Sequence, residues 1–242
     1  MAAMNDPNSD IQRLREEYAR RAALASTDDR YSYSNPVYQW MLKNRRSAIT
    51  DFLKRYQKSD ICELRILEVG CGSGGVIQEF VNLGTVPVNS FGVDLLIDRL
   101  RVANNALPAC SWIASDGQHL PFPSESFDLV LQFTAFSSIL DPFIKSTMAA
   151  EMTRVLKPGQ GILWYDFIWN PTNPQTKGIG LKEIKNLFPG SEIFASRITL
   201  APPLTRLLLP RFPSIASRLA SIKLLNSHQL VWIQKPAGVL YA

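Results

Sequence analysis

A β-strand pattern runs directly into a glycine loop and then into a helix pattern in one short stretch of this 242-residue chain. Residues 64–69 form the run Leu-Arg-Ile-Leu-Glu-Val, Gly70, Gly72 and Gly74 follow, and an amphipathic stretch begins at Val76. Glycine adopts positive φ angles freely and lets the backbone approach a ligand where a Cβ would collide. A strand, a glycine loop and a helix in this order form the first unit of nucleotide-binding α/β folds.

The acid inside this unit, Glu68, indicates which cofactor the loop binds. It lies two residues before the first glycine, Gly70. The pyrophosphate of a dinucleotide is bound by backbone N–H groups at a helix N-terminus, and a carboxylate beside it would be repulsive. A ligand that carries an ammonium and a sulfonium group is instead stabilised by an acid at this place. S-adenosylmethionine (SAM) is such a ligand.

Two further acids follow β-like runs. Asp94 ends the run 88–93, where a carboxylate can accept hydrogen bonds from both ribose hydroxyls. Asp116 follows the run 110–114, where a carboxylate can accept a hydrogen bond from an adenine amino group. We therefore expect both acids to contact the nucleoside part of the cofactor.

The pattern continues with a fourth strand at 126–133 and a fifth at 161–165. Between them, residues 151–159 are interpreted as a helix that ends on Pro-Gly. The alternation of strands and helices predicts a parallel sheet with right-handed crossovers and with ligands at the carboxyl ends of the strands.

Taken in register, these motifs resemble class I SAM-dependent methyltransferases, a broad group that includes quinone-biosynthesis enzymes. The similarity covers residues 61–170, and its matching positions are Glu68, Gly70, Gly72, Gly74, Asp94, Asp116, 127–130 and 156–159. It implies a Rossmann-like three-layer αβα sandwich with a seven-stranded, mostly parallel sheet, an antiparallel last strand and an N-terminal helical cap. Segments 31–36, 164–167 and 178–190 also resemble bacterial methyltransferases of polysaccharide or secondary-metabolite pathways.

The resemblance implies SAM as the cofactor and S-adenosylhomocysteine as its product. The expected cofactor-binding residues are Glu68, Gly70, Cys71, Gly72, Gly74, Asp94, Leu95, Ser115, Asp116, Gly117, Gln132 and Phe133. Gln132 and Phe133 end the fourth strand and are expected to line the methionine moiety. Cys71 is interpreted as a small loop residue rather than a nucleophile. The three cysteines show neither metal-ligand spacing nor an even-numbered disulfide framework, so we expect no metal and a reducing, cytoplasmic location.

Methyl transfer from a sulfonium is an in-line displacement, which needs a base only when the acceptor is a hydroxyl or an acidic carbon. The candidate catalytic residues are Tyr165 and Asp166, at the end of the fifth strand. Asp166 either accepts a proton or orients a hydroxyl, or it caps the following loop. His119 is expected in a structural or cofactor-lid role rather than in catalysis. His228 is expected at the surface or in a loop, with an approach to the cleft as the alternative.

The residues after the fourth strand, Gln-Phe-Thr-Ala at 132–135, lack the Asn/Asp-Pro-Pro-Tyr motif of enzymes that methylate adenine N6 or glutamine. We therefore predict transfer to a hydroxyl of a sugar, glycolipid or secondary metabolite, with C- and N-methylation left open. Two other hypotheses remain: an NAD(P)-dependent reductase, and a SAM-fold binding or scaffold protein without catalysis.

The chain is interpreted as a single domain over residues 1–242. Residues 1–60 form a helical cap or surface helices, 61–167 form the SAM-binding core, and 168–242 supply substrate-side elements. Four prolines divide the insertion 201–226 into short helices that are expected to help select the substrate.

The net charge of +5 is unevenly placed. From residue 197 onward every charged residue is basic: Arg197, Arg206, Arg211, Arg218, Lys223 and Lys235. Three interpretations compete: a solvated face, attraction to an acidic or nucleotide-linked acceptor, and a membrane-surface contact through 201–226. Nucleic acid is not an expected partner, since no dense Lys/Arg run or recognition motif is present. No apolar run predicts a signal peptide or a membrane span.

Overall fold

Strands and helices alternate along most of the chain. The computed structural model describes residues 7–25, 32, 34–169, 173 and 175–238, so Tyr31, Tyr33, Asn170 and Pro171 lie outside the described residues. In chain order the elements are α1 (Pro7–Ala25), α2 (Pro36–Tyr56), β1 (Ile66–Val69), α3 (Gly75–Leu83), β2 (Ser90–Asp94), α4 (Ile97–Ala106), β3 (Ser111–Ala114), β4 (Phe127–Phe133), α5 (Pro142–Val155), β5 (Leu156–Phe167), α6 (Leu181–Leu187), β6 (Glu192–Leu200), α7 (Pro202–Leu208), α8 (Pro213–Ala220) and β7 (Asn226–Gln234).

The strands form one seven-stranded sheet in the order β3-β2-β1-β4-β5-β7-β6. Strands β1 to β5 pair in parallel, whereas β7 is antiparallel to both of its neighbours. The predicted Rossmann-like, mostly parallel sheet is confirmed. The chain builds outward from β1 to β3 and then returns to place β4 on the other side of β1. Ligands of such sheets bind at the carboxyl ends of the strands where the order reverses, here between β1 and β4.

Alternating side chains of the strands divide the core into two apolar clusters. Leu67 and Val130 belong to one cluster, which includes residues of α5 and α6. Ile66 and Leu131 belong to the other, which includes residues of α2 and α3. Because successive strand residues point to opposite faces, the two clusters lie on opposite sides of the sheet and give the three-layer arrangement.

The end of α5 differs from the prediction. The helix ends at Val155 and β5 begins at Leu156, so the interpretation of 151–159 as a helix ending on Pro-Gly was wrong. Leu156 is fully buried and pairs with Phe127 of β4. The residue before a proline is also disfavoured in the helical region, which keeps Lys157 extended ahead of Pro158.

The antiparallel β7 returns the chain to the cofactor edge of the sheet. Its register places His228 opposite Phe167, and Asn226 opposite Leu200 at the end of β6. The segment 201–225 between β6 and β7 therefore lies at the carboxyl edge of β5. Helices α7 and α8 each begin at a proline, where the missing N–H costs nothing, and they form the short helices predicted for this insertion.

Helix α1 lies against the same edge. Arg13 donates a hydrogen bond through Nη2 to the carbonyl of Ser138 (2.6 Å), and the Tyr18 hydroxyl bonds the Ser138 hydroxyl (3.2 Å). Ile11 and Leu14 pack against the cluster that contains α5. None of the helices described is both long enough and apolar enough to cross a membrane.

Candidate cofactor site

The glycine loop between β1 and α3 has a backbone that few other residues could adopt. Gly70 has φ = 75°, and a Cβ there would lie 2.5 Å from the Cβ of Ala135. Gly72 has φ = 54°, and a Cβ there would collide with the guanidinium of Arg99. The N–H of Gly70 donates to the carbonyl of Val93 (2.8 Å), which holds the loop against the end of β2. The glycines therefore allow β1, β2 and the loop after β4 to meet around one space.

Asp94 fixes the loop from the end of β2. Its Oδ2 accepts from the N–H of Gly72 (2.7 Å) and its Oδ1 from the N–H of Leu96 (2.9 Å). The side chain is nearly buried. A carboxylate oxygen accepts more than one hydrogen bond, so both oxygens keep capacity for the two ribose hydroxyls.

Asp116 is oriented by its own loop. Its Oδ1 accepts from the backbone N–H of Gln118 (2.9 Å), and its Oδ2 accepts from the side-chain amide of the same residue (2.9 Å). The carboxylate is half-buried, and the neighbouring His119 is exposed. Asp116 is thus held in place with acceptor capacity to spare, as the adenine prediction requires.

A cavity at the carboxyl edge connects these groups. It brings together six of the predicted cofactor residues, namely Gly70, Asp94, Leu95, Ser115, Asp116 and Gly117. The other six do not line it: Glu68, Cys71, Gly72, Gly74, Gln132 and Phe133. Helix α1 adds Ile11, Leu14 and Tyr18 to the lining, and the region after β4 adds Ala135, Ser138, Ile139, Ile144 and Met148. The lining is largely apolar, and Asp94 and Asp116 are the two acids in it.

Arg99 of α4 also lines the cavity and was not among the predicted residues. Its guanidinium lies 4.9 Å from the centre of the Tyr18 ring, a cation–π contact that joins α4 to α1. No sequence signal identifies this contact, because the two residues belong to helices far apart in the chain.

Glu68 is fully buried on β1, and its Oε2 has no hydrogen-bond partner among the described protein atoms. Burial, and then the negative charge of Asp94, raise the pKa of Glu68 well above its ordinary value, while Arg45 opposes the shift. An unpartnered buried carboxylate oxygen is costly in a free protein. It fits a ligand that brings a positive charge, and the donor set is therefore suited to the ammonium of SAM.

Cys71 is buried in the loop. Burial, followed by the charges of Glu68 and Asp94, raises the pKa of its thiol. A thiol held in its neutral form is a poor nucleophile, which favours the interpretation of Cys71 as a small loop residue.

Asp166 is fully buried at the end of β5, away from the cavity lining. Its Oδ2 accepts from Nε2 of Gln132 (3.0 Å) and from the N–H of Ser137 (3.1 Å), and its Oδ1 accepts from the N–H of Phe167 (2.8 Å). Burial raises the pKa of Asp166 to about 6, against the opposing effect of these donors. The contacts join β4, β5 and the loop after β4, which favours the structural alternative over a direct proton transfer.

Tyr165 lies behind the same edge in an aromatic stack. Its hydroxyl bonds the hydroxyl of Thr199 (2.9 Å), and burial raises the pKa of the phenol to about 12. Its ring stacks on His228, with the ring centres 4.8 Å apart. His228 is buried at the start of β7, so the prediction that it lies at the surface or in a loop was wrong. Burial and then Arg45 lower the pKa of His228 to about 3, and the imidazole is neutral.

Arg45 is a second functional candidate that the sequence did not reveal. It extends from α2, forms an ion pair with the buried Glu79, and lies 5.6 Å and 5.4 Å from the ring centres of Phe133 and Tyr165. Its Nε and the Oε2 of Glu79 have no partner among the described atoms. Together with Glu68, these residues form a buried polar group next to the glycine loop.

Comparison with known proteins gives the class that this fold and site define. Residues 66–159 match the family model described as a methyltransferase domain. Residues 66–159 thus correspond to a methyltransferase domain, in agreement with the resemblance to class I SAM-dependent methyltransferases, and SAM is the cofactor of that class. Strands β1 to β4 and the glycine loop described above belong to the matched region.

Among curated relatives, a Mycobacterium ulcerans phthiotriol/phenolphthiotriol dimycocerosates methyltransferase is 35% identical over 111 residues, 45% of this chain and 39% of that protein. A Mycolicibacterium smegmatis fatty-acid O-methyltransferase is 33% identical over 111 residues, with the same coverage of 45% and 39%. The matches thus span about two fifths of the relatives' length. A Haemonchus contortus phosphoethanolamine N-methyltransferase solved with SAM superposes with a TM-score of 0.59 at 21% identity, over 83% of this chain and 56% of that one.

Proposed function

We propose that this protein transfers the methyl group of SAM to an oxygen atom of a small, lipid-like acceptor. The observation that carries the proposal is the cavity at the carboxyl edge, whose lining combines Asp94 and Asp116 with mostly apolar side chains. The buried carboxylate of Glu68 adds a negative charge suited to the cofactor's ammonium. The names of the two mycobacterial relatives, which refer to a fatty acid and to phthiotriol lipids, support this acceptor class.

In this proposal the residues divide the work by position. Glu68 holds the ammonium of SAM, Asp94 the ribose hydroxyls and Asp116 the adenine amino group, while the glycine loop gives the backbone access. When bound, SAM supplies an electrophilic methyl group on a good leaving group. The protein's contribution is to position the acceptor and to exclude water, effects worth about 7–11 kcal/mol in favourable intramolecular reactions.

The surroundings of the cavity bear on which oxygen accepts the methyl group. Tyr165 has a pKa raised to about 12, and both oxygens of Asp166 already accept hydrogen bonds from protein groups. Neither side chain lines the cavity as described. A hydroxyl acceptor needs a base, whereas a carboxylate is already ionised at neutral pH. A fatty carboxylate therefore suits the site better than the hydroxyl of a sugar, glycolipid or secondary metabolite predicted from the sequence.

The proposal keeps the organisation inferred from the sequence. Residues 1–60 act as a cap, 61–167 bind the donor, and 168–242 select the acceptor, with 201–226 at the mouth. Support comes from Ile11, Leu14 and Tyr18 of α1, which contribute to the cavity lining. Further support comes from the register of β6 and β7, which brings 201–225 to the same edge of the sheet.

The experiment is a transfer assay with SAM labelled in the methyl group. The purified protein is incubated with a fatty acid, a hydroxylated glycolipid, and a free sugar in parallel, and label is counted in the organic and aqueous phases. Label in a fatty acid methyl ester supports a carboxylate acceptor, and label in the glycolipid supports the hydroxyl prediction. Label found only in the aqueous phase would contradict the lipid-like acceptor. An unchanged amount of label in the Asp94→Ala variant would contradict the donor site.

A SAM-fold binding protein without catalysis is the second candidate. It is favoured by the hydrogen bonds that Asp166 and Tyr165 already form with other protein side chains. The same assay separates the two. Micromolar SAM binding in calorimetry, combined with no transfer to any of the three acceptor classes, would support the binding protein.

A further inference from the structure

The insertion between β6 and β7 carries an unusual number of exposed apolar side chains. Helices α7 and α8 and the turns after them expose Leu207, Phe212, Ile215, Ile222 and Leu224. Leu224 is 83% exposed and Leu207 is 67% exposed. Single exposed apolar residues are ordinary, but five within 18 consecutive residues indicate a surface that is covered in function.

The same segment is purely basic in its charge. Residues 201–225 contain Arg206, Arg211, Arg218 and Lys223 and no Asp or Glu. Arg211, Arg218 and Lys223 are exposed alongside the apolar side chains. A protein partner with an apolar face does not require this one-sided charge, whereas an anionic lipid surface attracts it. Apolar side chains interleaved with Lys and Arg are typical of segments that lie in a membrane interface.

The segment is anchored firmly enough to present a fixed face. The N–H of Ala201 donates to the carbonyl of Leu225 (3.0 Å), which closes the insertion at its base. The side-chain amide of Asn226 donates to the carbonyl of Ala220 (3.0 Å), and Ala216 of α8 is fully buried. The segment is thus packed on the rest of the protein, and its exposed apolar side chains point away from that contact.

We infer that residues 201–225 form a docking surface for anionic lipid bilayers. The basic side chains contact the headgroups, and the apolar side chains enter the boundary between headgroups and acyl chains. The surface lies at the carboxyl edge of the sheet, the edge that also holds the cofactor cavity. Docking through it brings that edge to the membrane, and this geometry holds whichever acceptor the protein methylates.

Vesicle binding by the full chain tests the inference without SAM. The protein is sedimented with vesicles of phosphatidylcholine alone and with vesicles containing one third phosphatidylglycerol. We expect binding to the anionic vesicles only, and weaker binding at 0.5 M than at 0.05 M NaCl. Arg211→Glu with Lys223→Glu should weaken it by about 25-fold or more, from about fivefold for each basic side chain removed. Leu207→Ser with Leu224→Ser should weaken it about tenfold or more.

Matched control variants carry the same chemical changes elsewhere on the surface. Lys182→Glu with Lys185→Glu changes the net charge equally, on exposed positions of α6. Val88→Ser with Val102→Ser removes two apolar side chains that are 65% and 56% exposed. Both should bind like the wild type.

Three results would overturn the inference. The first is equal binding to the two kinds of vesicle. The second is a loss of vesicle binding in the control variants as large as in the test variants. The third is a dimer, seen by light scattering, that the Leu207→Ser, Leu224→Ser variant abolishes. The last result would assign the surface to a second copy of the chain. Because SAM is absent from the assay, a failure here leaves the methyltransferase proposal standing, and a failure of methyl transfer leaves vesicle binding intact.

Discussion

The buried carboxylate of Glu68, whose Oε2 has no partner among the residues described, leads to a prediction in which cofactor binding and stability move in opposite directions. In Glu68→Gln the shape of the side chain is kept and the negative charge is removed. A hydrogen bond to a charged group contributes about 1.5–3 kcal/mol, so we expect the Kd for SAM to rise about 10- to 150-fold. Titration calorimetry at neutral pH measures the change.

The free protein should become more stable by the same substitution. The Oε2 of Glu68 is buried and has no hydrogen-bond partner within the described part of the chain, and such a group costs about 1–3 kcal/mol. We therefore expect the free energy of unfolding in urea to rise by about this amount when the charge is removed. A cofactor-binding group that is maintained at a cost to stability has this double signature, whereas a purely structural carboxylate does not.

The pH dependence supplies an independent check. The folded pKa of Glu68 lies well above its ordinary value of 4.5, so in that interval the folded protein holds a proton that the unfolded chain has released. The wild type therefore loses stability as the pH rises from about 4.5 through the raised pKa. The Glu68→Gln variant should lack this loss.

The control is Glu63→Gln, a change of an exposed acid three residues before β1. It should alter neither the Kd for SAM nor the urea midpoint. Wild-type affinity in Glu68→Gln, or a loss of stability without a loss of affinity, would refute the reasoning about the buried carboxylate.

Three further predictions concern the edge of the sheet. Asp94→Ala should weaken SAM binding by about 1.5–3 kcal/mol in calorimetry. Asp98 is an exposed acid on α4, and Asp98→Ala should leave the affinity unchanged. Equal affinities of the two variants for SAM would remove Asp94 from the ribose site. Asp166→Asn should flatten part of the stability profile, because a folded pKa raised from 3.8 to about 6 makes the wild type lose about 3 kcal/mol as the pH rises across that interval. Unfolding in urea at pH 4 and pH 7 measures the difference, and parallel profiles would contradict the pKa assigned to Asp166. Arg13→Ala should lower the hydrogen-exchange protection of α1, because the hydrogen bond from Arg13 to Ser138 is lost. Arg15→Ala, at an exposed position, is the control. Unchanged protection in both variants would mean that the Arg13 bond does not hold α1 in place.

The core of the fold could be predicted because its signals are local. Each strand from β1 to β4 appears as a short apolar run, and each is followed by a residue type that its own position requires. Gly70 has to adopt a positive φ, and Asp94 has to accept from the loop N–H of Gly72. The prolines of the insertion are another local signal. They predict short helices there, and α7 and α8 each begin at a proline.

The parts that escaped prediction depend on partners distant in the chain. Arg45 and Glu79 are 34 positions apart in the sequence, and no local pattern around either residue predicts that they pair. His228 is buried because β7 adds to the sheet beside β5, which the residues around it do not reveal. The two alternatives for Asp166 differ only in what surrounds it, and its donors come from β4 and the loop after it.

The end of α5 was misjudged for a different reason. Pro158 and Gly159 are common helix-ending residues, and the sequence offers no sign that the helix stops three residues earlier. The outcome was decided by the burial of Leu156 against β4. Tertiary packing of one leucine therefore overrode a local signal.

The position of the insertion between β6 and β7 has a consequence for engineering. Those strands pair with each other and, through β7, with β5, and neither touches β1, where the donor loop begins. Since 201–225 is closed at its base by Ala201 and Leu225, it can be exchanged as a cassette between two fixed strand ends. If 201–225 contacts the acceptor as proposed, a graft of this kind would change the acceptor contacts and leave the strands of the proposed SAM site unchanged, so different insertions could be compared for the acceptors that they allow.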